Sequence, residues 1–214
     1  MITILIIISP AARAYTPEEL SSRLEVKFRR VGSVYIRALG HPIENPADTT
    51  EMTVAYRYPE QFLQTLRGRQ QREQYVLLSN NKYALYYPHL DSYEEGEMTE
   101  AEQRRLIADF FPLVGLAGAA VSEEHLEENV TTTDFGDTLL VQINHVDPRL
   151  EFEKTEIVLD RRELRPIELI SRASDDSGDY RLEIISYEED LRFPRPIEQA
   201  LAEFDLRLLV GEEL

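Results

Sequence analysis

The chain of 214 residues contains no cysteine, no tryptophan and only four histidines. Without cysteine there is no disulfide framework, no thiolate nucleophile, no cysteine-ligated zinc and no lipid-modified N-terminal cysteine. The histidines, His41, His89, His125 and His145, fall at no metal-ligand spacing. Positive charge is also scarce. Lys and Arg number 23 against 40 Asp and Glu, for a formal charge of -17. That excludes nucleic acid as a partner, because phosphate-backbone binding draws on clustered Lys and Arg, and it excludes a polybasic membrane anchor. No apolar run approaches the roughly 20 residues of a membrane-spanning helix.

Catalytic signatures are missing as well. The sequence has no H-E-x-x-H, no G-x-S-x-G, no Walker loop and no G-x-G-x-x-G. The acidic pairs Glu94-Glu95, Glu123-Glu124, Glu127-Glu128 and Glu188-Glu189 read as solvated surface, not as catalytic carboxylates. "DDSGD" (Asp175 to Asp179) has no EF-hand continuation and reads as a hairpin turn. The expectation is a protein that is not an enzyme and needs no cofactor.

What is present is a globular composition, 43% hydrophobic, with eleven tyrosines and eight phenylalanines. The chain opens with the apolar run "ITILIII" (Ile2 to Ile8), then "SPAARA". The small-x-small pattern Ala12-Arg13-Ala14 suggests a signal peptide over residues 1–14, although no Lys or Arg precedes the run. The alternative is a buried N-terminal strand. Residues 15–214 show no linker and no repeat, and are expected to form one domain.

Helix signals follow. In "TPEELSSRLEVKFRRV", Thr16 can cap, Pro17 suits the first helical position, and Glu19 completes a capping box. Leu20, Leu24 and Phe28 form one apolar stripe, flanked by Arg23, Lys27 and Arg30. In "MTEAEQRRLIADFFPLVGLAGAA", Thr99 caps with Glu102. Pro112 should end or kink the helix near Asp109 to Phe111. The small-residue tail Gly115 to Ala120 fits either a hinge or close packing.

Between these helices the apolar period is two. Met52, Val54, Tyr56 and Tyr58 share one face, opposite Thr53, Ala55 and Arg57. "LLSNNKYALYYP" reads as a hairpin turning at Asn80-Asn81, two residues that tolerate positive φ. Val76, Leu78, Tyr83, Leu85 and Tyr87 then share one face, and Tyr75, Leu77, Ala84 and Tyr86 the other. Both faces are apolar, so both need cover. After Thr138 the chain again reads as strands, to about nine or ten in all. A short helix, "PIEQALAEF", and "DLRLLV" close it. Short turns between sequential strands imply an antiparallel sheet.

The order of capped helix, "YRYPEQF", "YVLLSNNKYALYYP" and "TEIVLDRRELRPIELIS" resembles the LolA-type periplasmic lipoprotein carriers, over roughly Thr16 to Phe204. The resemblance implies an α+β fold, a curved antiparallel half-barrel with helices over its concave face. It implies a periplasmic, monomeric carrier that shelters lipoprotein acyl chains or another lipid. Such a carrier takes cargo from an inner-membrane ABC transporter to an outer-membrane acceptor. The candidate cavity residues are Val54, Tyr56, Tyr58, Phe62, Leu66, Val76, Leu78, Tyr83, Leu85 and Tyr87, with Leu106 and Phe110 from the lid. The family's lid-tethering Arg before the proline aligns with Tyr58. Arg57, one position earlier, points to the opposite face by alternation. Either the Tyr58 hydroxyl holds the lid or another residue does. The rival to a shuttle is a lipid-sensing or protein-binding periplasmic module on the same fold.

Overall fold

The computed structural model describes residues 15–68, 73–119, 129–145, 152–173 and 178–211. The expected signal peptide (1–14), Ala120, His125, the acidic pairs at 123–124 and 127–128, and the turn at 175–177 lie outside the described residues.

Helix α1 (Pro17–Val31) begins as expected. Thr16 is the N-cap, and its hydroxyl accepts from the Glu19 amide while the Glu19 carboxylate reaches back to the Thr16 amide. These contacts satisfy amides that a helix start leaves without partners. Gly32 ends the helix at a φ of 68°, a conformation in which glycine carries no steric penalty. The buried stripe is Leu20, Leu24, Phe28 and Val31, and it also contains Lys27. Lys27 is therefore a buried member of the stripe, not a flanking residue.

Six strands form the first meander. They are β1 (Ser33–Pro42), β2 (Thr50–Arg57), β3 (Gln61–Gly68), β4 (Glu73–Ser79), β5 (Lys82–Tyr87) and β6 (Ser92–Glu97). Five more form the second: β7 (Val130–Asp134), β8 (Thr138–Asn144), β9 (Phe152–Asp160), β10 (Pro166–Ala173) and β11 (Tyr180–Glu189). Antiparallel pairing of β1 with β11 joins the meanders into one open eleven-stranded sheet, ordered β6-β5-β4-β3-β2-β1-β11-β10-β9-β8-β7. With its helices this is the open α+β half-barrel that the sequence implied. The strand number corrects the expected nine or ten: β6 ("SYEEGE") and β7 ("VTTTD") carry little apolar alternation, and "DLRLLV" forms a 3₁₀ turn (Leu206–Leu209).

The Asn-Asn hairpin has the expected register. Ser79 pairs with Lys82, Leu78 with Tyr83 and Val76 with Leu85. Asn80 and Asn81 have φ of 52° and 61°. Both faces of this meander are covered. The inner face, with Val34, Ile36, Val54, Tyr56, Phe62, Val76 and Leu78, joins the α1 stripe in one core. The outer face, with Tyr35, Ala55, Leu63, Tyr75, Leu77 and Ala84, packs under helix α4 (Arg195–Glu203) through Ile197, Ala200 and Leu201, and under Leu206 and Leu209. Fully burying such a side chain contributes about 1.5–3 kcal/mol, so removing α4 exposes a complete second core.

The second meander differs. Its inner face carries Leu139, Val141, Ile157 and Leu159. Its outer face bears a polar ladder that water can cover: Gln142 donates to Glu156, and Arg172 bridges Glu156 (2.9 Å) and Asp179 (2.6 Å). For Glu156, burial alone would raise the carboxyl pKa. Lys154, Arg172 and Gln142 outweigh it and bring the value from 4.5 to about 2. A lowered folded-state pKa gives stability that is complete above the unfolded value and is lost as pH falls towards about 2. Glu156→Gln should therefore lower the melting temperature at pH 7 and approach the parent's value near pH 2. A melting-temperature difference that stays constant across that range would contradict this.

Candidate functional site

The inner face is roofed by two elements of unequal grip. Helix α1 buries four large apolar side chains there. Helix α2 (Glu100–Phe110), capped by Thr99 and Glu102 as expected, buries only Gln103 and Ile107. Leu106 and Phe110 are half-buried at its margin. Phe110 stacks on Phe62 with ring centroids 5.8 Å apart and planes at 16°. The chain then bends at Pro112, as the sequence predicted. A single turn, α3 (Pro112–Val114), and a π-helical turn (Gly115–Ala119) follow.

At the bend, Phe111 enters an aromatic trio with Phe28 of α1 and Tyr56 of β2. Centroid distances are 5.9 to 6.2 Å, all edge-on. Edge-to-face pairs add about 0.5–1.5 kcal/mol beyond area burial. The Tyr56 hydroxyl donates to the Pro59 carbonyl at 3.2 Å, and burial raises its pKa.

Gln103 is 1% exposed and ties α2 to two turns. Its side-chain oxygen accepts from the Asn81 amide at 2.7 Å, on the β4–β5 hairpin. Its side-chain nitrogen donates to the Glu60 carbonyl at 2.8 Å, at the β2–β3 corner. Of the two ways the sequence left for holding this helix, the geometry follows the second. The Tyr58 hydroxyl engages Arg29 of α1, whose guanidinium it and Glu25 hold above the usual range. Arg57 lies on the opposite face, as alternation required, bonded to Gln61 and to Glu198 of α4.

Beside α2 lies a cleft of about 290 Å³. Its walls are Glu25 and Arg29 from α1, Tyr56, Tyr58 and Pro59 from the β2–β3 corner, and Arg104, Ile107, Val114 and Ala117 from α2 to the π turn. Arg29 is paired with Glu25 at 2.7 Å, and Arg104 with Glu100. The floor is apolar and the rim charged, an arrangement that suits an amphiphile. The volume lies at the lower end of the roughly 300–1,000 Å³ of small-ligand sites.

The sequence-predicted cavity residues divide by position. Val54, Tyr56, Phe62, Val76 and Leu78 are buried in the inner core, with Tyr58, Tyr83, Leu85, Leu106 and Phe110 packed against it. Only Tyr56 and Tyr58 of the twelve line the cleft. Tyr83 covers Gly96 of β6, where a β-carbon would sit 2.6 Å from its ring, and donates to Glu94. Leu66 lies in the half-buried end of β3 opposite Met52, and Tyr87 stands edge-on to His89. Sequence reading missed Gln103, Arg29, Arg104, Val114 and Ala117. For Gln103 a signal existed: it is the polar member of a stripe with Ile107 and Phe110. Glu94-Glu95 is exposed as expected, but on strand β6. Glu189 is not simply solvated, because it pairs with Lys27 at 2.6 Å. Among the described residues no cluster of His, Asp or Glu could hold a metal ion.

No family model matches the sequence, and no curated protein matches it. Solved structures match in fold. The Pseudomonas aeruginosa MucA/MucB complex is similar at 12% identity and TM-score 0.52, over 88% of this chain and 62% of that one. A putative outer membrane lipoprotein-sorting protein domain from Vibrio parahaemolyticus matches at 10% identity and TM-score 0.42, over 87% and 96% of the two chains. LolA superfamily protein NE2245 from Nitrosomonas europaea matches at 9% identity and TM-score 0.37, over 85% and 96%. The chain shares the fold of the matched chain of the MucA/MucB complex, here an open antiparallel half-barrel with helices.

Gln103→Leu would remove both ties and leave the Asn81 amide and Glu60 carbonyl without their partner, at about 1–3 kcal/mol. Amide exchange across 100–110 should accelerate at least tenfold while α1 and β4 stay protected. Equal acceleration throughout the chain would show that Gln103 holds the whole fold, not one helix.

Proposed function

We propose that this protein is a non-enzymatic carrier of acyl chains, from lipoproteins or another lipid, in the bacterial periplasm. One observation carries the proposal: an inner face that is apolar over β3 to β5 except for the buried Gln64 is roofed by a helix that fully buries only one apolar side chain. Elements held by few buried contacts open first. When α2 swings away, Val54, Phe62, Val76, Leu78 and Leu85 become the wall of a hollow. Each methylene buried there contributes about 0.8 kcal/mol, enough over one chain to replace what α2 supplied.

The cleft is too small for several acyl chains at once, so loading and opening are one event. Ligand and α2 compete for the same face, which makes release the reverse closure. Tyr58, Arg29 and Arg104 stand where a polar headgroup would remain. Residues 1–14 supply the export signal in this reading, and an inner-membrane ABC transporter and an outer-membrane acceptor are the donor and receiver. Bond-making chemistry has no part in it.

The test is native mass spectrometry of the secreted protein with a diacylated lipopeptide. The parent should bind one equivalent that is lost on denaturation. Leu85→Asp, at a half-buried position, should weaken loading at least tenfold in a folded protein, and Gln103→Leu should speed exchange of bound lipopeptide. A parent that stays ligand-free at saturating lipopeptide would overturn the carrier reading in favour of a protein-binding module.

A further inference from the structure

We propose that a groove between α1 and the β9–β10 turn binds a phosphate-bearing anion, as a lipid headgroup or as free phosphate. It is distinct from the cleft beside α2 and does not depend on the carrier reading.

The groove, of about 610 Å³, is organised by Lys27. Only 8% exposed, its ammonium donates to the carbonyls of Glu163 and Leu164 and pairs with Glu189 at 2.6 Å. The turn is itself fixed, because the Asp160 carboxylate accepts from the amides of Arg162 and Glu163. Lys27 thus locks the turn against the helix. Arg23 and Arg30, at i-4 and i+3 from Lys27, fall on the same side of α1. Together with Arg162 from the turn, they line the one groove.

The charge balance there is unusual for so acidic a chain. Both groove carboxylates are engaged, Glu189 by Lys27 and Glu163 by Arg165. Neither Arg30 nor Arg162 has a side-chain partner among the described residues. Arg23 lies over the Tyr15 ring at 4.6 Å, and no carboxylate pairs with it among the described residues. Acidic residues far outnumber basic ones in this chain, yet among the described residues no carboxylate pairs with these guanidiniums, and the fold gathers them around one opening. Like charges so gathered repel, and a phosphate group, with several acceptor oxygens matched to guanidinium forks, removes that repulsion. Val26, 64% exposed at the rim, offers an apolar contact beside a headgroup.

The experiment pairs calorimetric titration of the whole chain with pyrophosphate and co-sedimentation with vesicles of phosphatidylglycerol or phosphatidylcholine. The variant is Arg30→Glu with Arg162→Glu. Both residues are exposed and have no side-chain partner among the described residues, and their reversal relieves repulsion, so the fold should survive. The parent should bind pyrophosphate saturably, and the double variant at least tenfold more weakly. Lys82→Glu, a reversal on the β4–β5 hairpin, should leave binding unchanged. Phosphatidylglycerol-selective sedimentation that pyrophosphate competes away identifies the headgroup as the source; pyrophosphate binding without sedimentation identifies a free anion. Failure of the parent to bind either probe, or equal loss from Lys82→Glu, would overturn the proposal.

Discussion

Strands β1 to β5 carry large apolar side chains on both faces, and a sheet of that kind is stable only if both faces are covered. The rest of the architecture follows from this requirement. A helix at the start of the chain and one at its middle cover the inner face. A helix near its end returns across the outer face, so Leu77 and Ala84 have Ile197 and Leu201 above them. The second meander escapes the requirement by placing Gln142, Glu156 and Arg172 outside. Its outer face needs no helix, and the sheet can remain one open curved layer.

The two inner covers are held in different ways. Helix α1 is held by four large apolar side chains and by a buried lysine that reaches the far meander. Helix α2 is held by Ile107, by stacking of Phe110 on Phe62 and by the two bonds of Gln103. Directional bonds to two turns fix where α2 sits without adding much burial. In the proposed carrier, a cover so positioned returns to one place and still leaves easily, as a reversible binding site requires. The aromatic trio ties Phe111 to α1 and β2, a fixed end for the proposed motion.

Local chemistry was legible in the sequence wherever it is strong. Two capping boxes, the Asn-Asn turn with its register, the break at Pro112 and the facing of Arg57 all follow from short-range rules. The edge strands were not legible. Glu94, Glu95 and Glu97 on β6, and the threonines of β7, satisfy backbone pairing without burying a face, so no apolar alternation marks them. Charge and polarity at such edges also discourage pairing with another chain. The candidate site was half legible. Alternation identified the residues that share the inner face, but the cleft is set by where α2 and the π turn come to rest. The basic groove was half legible: Arg23, Lys27 and Arg30 share one short window of α1, but Arg162 is remote in sequence and only the fold brings it beside them. Lys27 was read as flanking its stripe and Gln103 was missed, although both fall at the spacing of an apolar stripe, a pattern that calls for a buried partner without naming it.

The proposed carrier differs from a merely well-packed sheet in one respect: its inner core would have a removable cover and its outer core would not. The most direct measurement is methyl NMR of the protein with a nitroxide-labelled acyl chain. A chain seated beneath α2 would broaden the methyls of Val54, Val76, Leu78 and Leu85 and spare those of Leu77, Ala84 and Leu201. Broadening of the outer set, or of neither set at saturating label, would contradict an acyl site on the inner face.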